Sequence, residues 1–133
     1  MLKVLAIQSK EAQKTLSEAC AVPYVATDMA YAIQVDEEDI GIIPFYIKGQ
    51  NGYIRCIALK PGSSDFEAQF IAGRGCMNFI DLCGAHDCYL LNVSNADEDR
   101  RLAIALGFKP DAAGNWYMNL RGFFEDPCKH TEN

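Results

Sequence analysis

Three short stretches of this chain carry residue types suited to holding or attacking a ligand. "CGAHDC" sets Cys83, His86 and Cys88 within six residues, and the tail adds Cys128 and His130. Thiolate and imidazole are the usual tetrahedral ligands of zinc, so four of these residues are candidates for a metal site. Their spacing departs from that of zinc knuckles, and Cys83 and Cys88 fall where helix and strand residues read as buried. The expectation is packed thiols beside an exposed histidine, with no metal. Cys56, within "YIRCIAL", is a candidate nucleophile toward acyl groups. No histidine stands near it in sequence and its neighbours are apolar, so it reads as a core thiol. The third stretch, "ALKPGSSDFEAQFIAG" over residues 58–73, reads as strand, turn and helix. Such junctions commonly cradle phosphate, because free backbone N–H groups and the positive end of the helix dipole face the ligand. Here two acids, Asp65 and Glu67, stand where the anion would sit.

The chain has 133 residues, of which 50% are hydrophobic, and a net charge of −6 with no run rich in Lys and Arg. That length predicts a single domain over residues 1–133 with a real core. The negative balance argues against nucleic acid and against anionic membranes as partners. Near the start, the apolar run "VLAI" is too short for a signal peptide or a membrane span. A cytoplasmic protein with reduced cysteines is therefore expected, with a polar tail, "DPCKHTEN", that frays.

The elements that must position these residues follow from periodicity and turn chemistry. "LKVLAI" reads as a strand, after which Ser9 caps a helix with Ala12, Leu16, Ala19 and Cys20 on its inner stripe. Strands "AYAIQV", "IIPFYI" and "YIRCIAL" follow, separated by the acidic turn "DEEDIG" and by "KGQNG", where Asn51-Gly52 is the hairpin signal. Alternation places Tyr53, Arg55, Ile57 and Leu59 on one face of the third strand, and Ile54, Cys56 and Ala58 on the other. A helix over 66–83 shows a broad apolar stripe, from Phe66 and Phe70 through Met77 and Ile80, and ends at Gly84. "CYLLNV" is a buried strand, "ADEDRRLAIALGF" an acid-led helix ended by Gly107, and "WYMNL" a last strand. The expected class is α/β, a mixed central sheet flanked by helices.

In this order, "GYIRCIALKP", "LAIALGFKP" and "WYMNL" resemble the fourth strand, the helix-to-strand signature and the closing strand of the GNAT acyltransferase superfamily. The likeness spans about 30–120; the chain before it is too short for the family's usual pair of early helices. It implies transfer of an acyl group from acetyl-coenzyme A or another acyl-coenzyme A to the amine of a small molecule or peptide. The fourth and fifth strands of that fold splay apart and expose backbone to the pantetheine arm, and the following turn holds the pyrophosphate. Carried onto this chain, those positions are Ile57 and Leu59 on the strand, and Ser63 and Ser64 at the turn. Asn95 stands near a family asparagine after the fifth strand, although turn chemistry or helix capping accounts for it equally.

Several family features are replaced. The usual Arg/Gln-x-x-Gly-x-Gly/Ala turn reads "SSDFEA", and Ser64-x-x-Glu67 is a capping-box pattern that would consume two N–H donors. Gly73-Arg74-Gly75 is the alternative place for a displaced phosphate loop. The tyrosine that often protonates the leaving thiolate is replaced by Ala103, and the strand carboxylate that relays a proton by Arg55, which cannot act as a base. No catalytic residue is assigned. The function is then either acyl-coenzyme A-dependent N-acyltransfer with an altered cofactor turn, or a non-catalytic module of the same fold that binds a small ligand or protein. "RGFFEDPC" places Phe123 and Phe124 either back on the core or in a homodimer contact.

Overall fold

The computed structural model describes residues 1–124. Cys128 and His130 lie outside the described residues. The elements are β1 (Leu2–Ala6), α1 (Lys10–Ala19), β2 (Met29–Val35), β3 (Glu38–Lys48), β4 (Asn51–Ile54), β5 (Ala58–Leu59), α2 (Phe66–Leu82), β6 (Asp87–Leu90), α3 (Asp97–Leu106), β7 (Lys109–Pro110) and β8 (Trp116–Asn119). They form one sheet in the order β1-β2-β3-β4-β6-β8-β7, with β5 paired to β3 beyond the end of β4. β4 and β6 run parallel because α2 returns the chain between them; the other described pairs are antiparallel. The expected mixed α/β sheet is thus observed, with "IIPFYI", "YIRCIAL" and "CYLLNV" all contributing to it, but "YIRCIAL", expected as one strand, is broken after Ile54 into the end of β4 and the separate β5.

Alternation along the strands divides two cores. Ile33, Ile43, Phe45 and Ile54 face α2 and α3, where they meet Ala72, Cys76, Met77, Ile80 and Leu106. On the opposite face Ala30, Ala32 and Ile42 meet Leu16 and Cys20 of α1. Ser9 caps α1 as expected, its Oγ accepting from Ala12 N at 3.2 Å. The buried stripe of α1 is rotated from the expected one, however, to Gln13, Leu16 and Ser17, while Ala12 and Ala19 are exposed. Gln13 is drawn inward because its Nε2 donates to the carbonyl of Asp28 at 3.2 Å, an acceptor shared with Lys10 Nζ at 2.5 Å.

Both hairpins turn on fewer residues than expected. Asp36 and Glu37 have φ of 50° and 69°, the pair of left-handed residues that a two-residue turn needs, so β3 already begins at Glu38. The second turn is Gly49 and Gln50, closed by the pair Lys48↔Asn51. Asn51-Gly52 therefore opens β4 instead of forming the turn. Gly52 is required there for packing: a Cβ would lie 2.3 Å from Ile80 Cγ2 of α2. Phe123 and Phe124 fold back on the α2 core, and the Arg74 guanidinium lies 4.7 Å over the Phe123 ring. Among the described residues no helix is long and apolar enough to cross a membrane.

Two glycines, one in strand β4 and one in helix α2, should respond oppositely to alanine. Gly52→Ala forces Ile80 from its place and should cost about 1–3 kcal/mol. Gly75 is exposed within α2, and its nearest neighbour to an added Cβ, Val4 Cγ1, is 4.0 Å away. Gly75→Ala should stabilise by about 0.5–1 kcal/mol. Urea denaturation should show the two midpoints moving in opposite directions at unchanged slope.

Candidate functional site

The site originates in one extra residue. β3 pairs β4 in the register Phe45↔Ile54, but pairs β5 as Ile42↔Ala58 and Gly41↔Leu59. Since the backbone N–H of Arg55 donates to Pro44 O at 2.9 Å, Cys56 and Ile57 must share the place opposite Ile43. This is a β-bulge, and it shifts by one every side chain that follows. Ile57 and Leu59 consequently join the α2 core, while Ala58 packs toward α1. The expectation that Ile57 and Leu59 share a face with Tyr53 and Arg55 is corrected by that slip.

The bulge also parts the sheet. β4 and β6 stay together through Ile54↔Leu90, and the last links are Leu91 N to Ile54 O (2.8 Å) and Asn92 N to Arg55 O (3.0 Å). Asn92 Nδ2 donates to the same Arg55 carbonyl at 2.8 Å and closes the ladder. Beyond it β5 turns to β3, with Lys60 N donating to Ile40 O at 2.8 Å. In an antiparallel pair hydrogen-bonded and non-bonded positions alternate, so Leu59 turns its own N–H and C=O away from β3. They face a cleft of about 640 Å³ lined by Ile57, Leu59, Ser64, Phe66, Asn92 and Arg101, with Val22 and Pro23 at the α1 side.

The start of α2 borders this cleft. Asp65, not Ser64, is its N-cap, and Asp65 Oδ1 accepts from Ala68 N at 3.0 Å. The expected Ser64–Glu67 capping box is therefore replaced by a single cap one residue later. The nearer residue wins because its side chain already reaches the third N–H of the helix. Glu67 lies in the first turn of α2, and the acids that line the cleft itself are Glu98 and Asp99 of α3. Lys60 and Arg101 also line the cleft, and the Arg101 guanidinium is held 4.2 Å over the Phe66 ring.

Below the bulge, on the α1 face, a buried carboxylate meets a cation. Asp28 is 1% exposed. Arg55 Nη2 donates to Asp28 Oδ1 at 3.1 Å, and Arg55 Nε to Oδ2. The hydrogen bonds to Asp28 hold the guanidinium even more firmly protonated than usual. Arg55 also stacks 4.6 Å over Tyr46, the first ring of a cross-strand row. Tyr46, Tyr53, Tyr89 and Tyr117 follow one another with centroids 4.8, 5.4 and 5.3 Å apart. Tyr117 Oη ends the row by donating to Asp87 Oδ1 at 2.7 Å. Cys56 reaches the cleft wall, but burial pushes its thiol up to about 11. At neutral pH it is a protonated wall residue, not a nucleophile.

No protein-family model matches the sequence, and no curated protein matches it. The coordinates do match solved structures. The PaiA N-acetyltransferase of Thermoplasma acidophilum, a complex with coenzyme A, aligns with TM-score 0.69 at 14% identity, over 89% of this chain and 97% of that one. An IAA acetyltransferase of Bacillus cereus aligns with TM-score 0.70 at 16% identity, over 84% and 79%. A variant of the spermidine N-acetyltransferase of Vibrio cholerae aligns with TM-score 0.72 at 10% identity, over 92% and 96%. The chain has the GNAT fold.

Within that GNAT fold, the cleft brings together Ile57, Leu59, Ser63 and Ser64. Asn95 does not line it; it is exposed, and the asparagine present there is Asn92. Asn95 does not cap α3 either: the N-cap is Ala96, without a side-chain bond, and Ser94 Oγ donates to Asp99 Oδ2 instead. Gly73 and Gly75 lie inside α2, so "GRG" forms no loop. The Ala103 side chain is buried in the core. Of the proposed zinc ligands, Cys83 is exposed, correcting its expected burial, Cys88 is buried, and His86 Nδ1 is 2.7 Å from Asp81 Oδ1. Among the described residues no three His, Cys, Asp or Glu side chains gather as a metal site. Sequence reasoning missed Asp28 and Gln69; Asp28 in particular carried no signal beyond its loop position.

Two outcomes test this chemistry. Arg55→Met strands a buried carboxylate and should cost on the order of 3 kcal/mol, with most of the loss recovered by adding Asp28→Asn. In alkylation followed by mass spectrometry, exposed Cys83 should react first. The Cys56 rate should climb about tenfold per pH unit between pH 7 and 10, since its thiol titrates only near about 11.

Proposed function

We propose that this cleft is an acyl-thioester site, taking the pantetheine arm of acetyl-coenzyme A or another acyl-coenzyme A and passing the acyl group to an amine of a small molecule or peptide. The observation that carries the reading is the unpaired edge at Leu59, opened by the bulge beside the N-terminus of α2. An amide-rich arm can pair with such an edge as a further strand would. The fold of the acetyltransferases above supports the same assignment.

The fit differs along the cleft. At the strand edge the donor and acceptor of Leu59 suit an amide-bearing arm. At the helix start, Asp65 occupies the Ala68 N–H, and Glu67, Glu98 and Asp99 raise the negative potential where phosphates would come. Lys60 and Arg101 are the cations that offset it. A carboxylate within a few ångströms of a phosphate costs on the order of 1–4 kcal/mol, so affinity for the nucleotide end should be weak.

A bound thioester supplies the activated acyl carbon. The chain's own part is to hold the arm along β5, to keep the neutral Cys56 thiol out of the reaction, and to admit the amine past Val22 and Pro23. Arg55 accepts no proton, so proximity supplies the rate advantage and the amine must arrive uncharged. A second reading, a binding module without turnover, is favoured by the acids around the helix start.

The test is a thermal shift with coenzyme A and acetyl-coenzyme A, followed by calorimetry of the parent and of Asp65→Gly/Glu67→Gly. The double variant loses roughly 0.5–2 kcal/mol of helix capping. It should nevertheless bind coenzyme A more tightly than the parent, and more so at low salt. Tight binding by the parent would mean that the phosphates sit elsewhere. No binding by either protein would remove the acyltransferase reading.

A further inference from the structure

Gln69 lies in the first turns of α2 and faces the cleft. Its Nε2 donates to the backbone carbonyl of Ile57 at 2.9 Å. Ile57 immediately precedes β5; Ala58 pairs with Ile42 of β3, and the Ile57 carbonyl, on the opposite side of the same planar peptide, turns away from β3 to the edge that Leu59 leaves open. The contact is held in place from both ends. Ile57 Cδ1 lies 2.9 Å from where a Cβ of Gly73 would be, one turn along α2 from Gln69, so strand and helix touch closely. Asp65, one turn before Gln69, caps the helix and sets its first turn. A primary amide on a backbone carbonyl is the same chemistry as an amide of a ligand arm on that carbonyl.

We propose that Gln69 is a built-in competitor for the cleft's strand edge, an internal amide that occupies the Ile57 carbonyl and sets the affinity for any amide-bearing arm. This rests on the acyl-thioester reading and specifies how the site selects its ligand. A ligand must displace the Gln69 amide to use Ile57, or be confined to Leu59. The competition acts on the uncharged arm, so it is independent of the carboxylates that oppose phosphate at the helix start. It also survives high salt, whereas the carboxylate effect does not.

Pantetheine, which is uncharged and lacks phosphate, isolates this contact from the helix terminus. Its binding to the full chain is followed by amide NMR shifts for the parent, Gln69→Ala and Gln69→Glu. Alanine favours helix, and the Gln69–Ile57 hydrogen bond is part-buried between two residues that both line the cleft, so the freed carbonyl is left beside the cleft and not sealed in the core. Gln69→Ala should bind pantetheine roughly threefold to tenfold tighter, the ordinary worth of one hydrogen bond. Gln69→Glu keeps the side-chain length but cannot donate when ionised. Its gain should be present at pH 8 and fade as the pH drops toward about 4, where the protonated acid donates again, while Gln69→Ala shows no such trend. Binding seen only in the variants also supports the proposal. Unchanged or weaker binding by both variants, with the parent binding measurably, would overturn it and leave the cleft reading intact. No binding of pantetheine or coenzyme A by any of the three proteins would overturn both.

Discussion

The bulge that seats Cys56 and Ile57 together opposite Ile43 is the constraint on which the cleft depends. Without the extra residue, β4 would continue straight along β6, and the backbone of both strands would be consumed in one parallel ladder. With it, the strand leans toward β3, Leu59 is left facing an open edge, and α2 begins beside that edge. The same slip exchanges the faces, so Ile57 enters the α2 core and its carbonyl comes within reach of Gln69. The geometry of pairing and the opening of the cleft are therefore consequences of a single local insertion.

The two faces of the opened sheet have different electrostatic characters. On the α1 face Asp28 is buried and neutralised by Arg55, which in turn rests on the tyrosine row. A buried pair of this kind is weak support for stability, yet breaking it is costly, and it holds the bulged strand to the loop after α1. On the α2 face the helix start carries its own counter-charges in Asp65 and Glu67. A helix terminus already satisfied by its own carboxylates has little attraction left for an external anion. The cleft thus combines an open strand edge with a helix start that carries acids, and Gln69 already donates to the Ile57 carbonyl beside that edge.

Much of the architecture was legible from local pattern. The helix over Phe66–Leu82, the Ser9 cap and the glycine ends at Gly84 and Gly107 all follow from side chains acting within one turn of themselves. Hydrophobic alternation likewise placed the strands and their common sheet. The acids at the α2 start were readable too, but the cap fell one residue from its expected place. Ser64 and Asp65 are both competent caps, and only the path of the incoming chain selects between them.

What the sequence by itself determined was the fold class, the order of the helices and main strands, and the acidic character of the helix start. Those depend on contacts between near neighbours. The tertiary structure alone decided the bulge, the face of Ile57 and Leu59, the inward turn of Gln13, and the pairing of Asp28 with Arg55. Each of these is a long-range event. A bulge exists only relative to the residues counted on the partner strand, and a buried carboxylate is tolerable only once a distant cation has arrived. The Asn51-Gly52 dipeptide makes the same point from the other side. Its turn propensity was overridden because Ile80, brought in by α2, requires a residue without a Cβ in the strand beneath it.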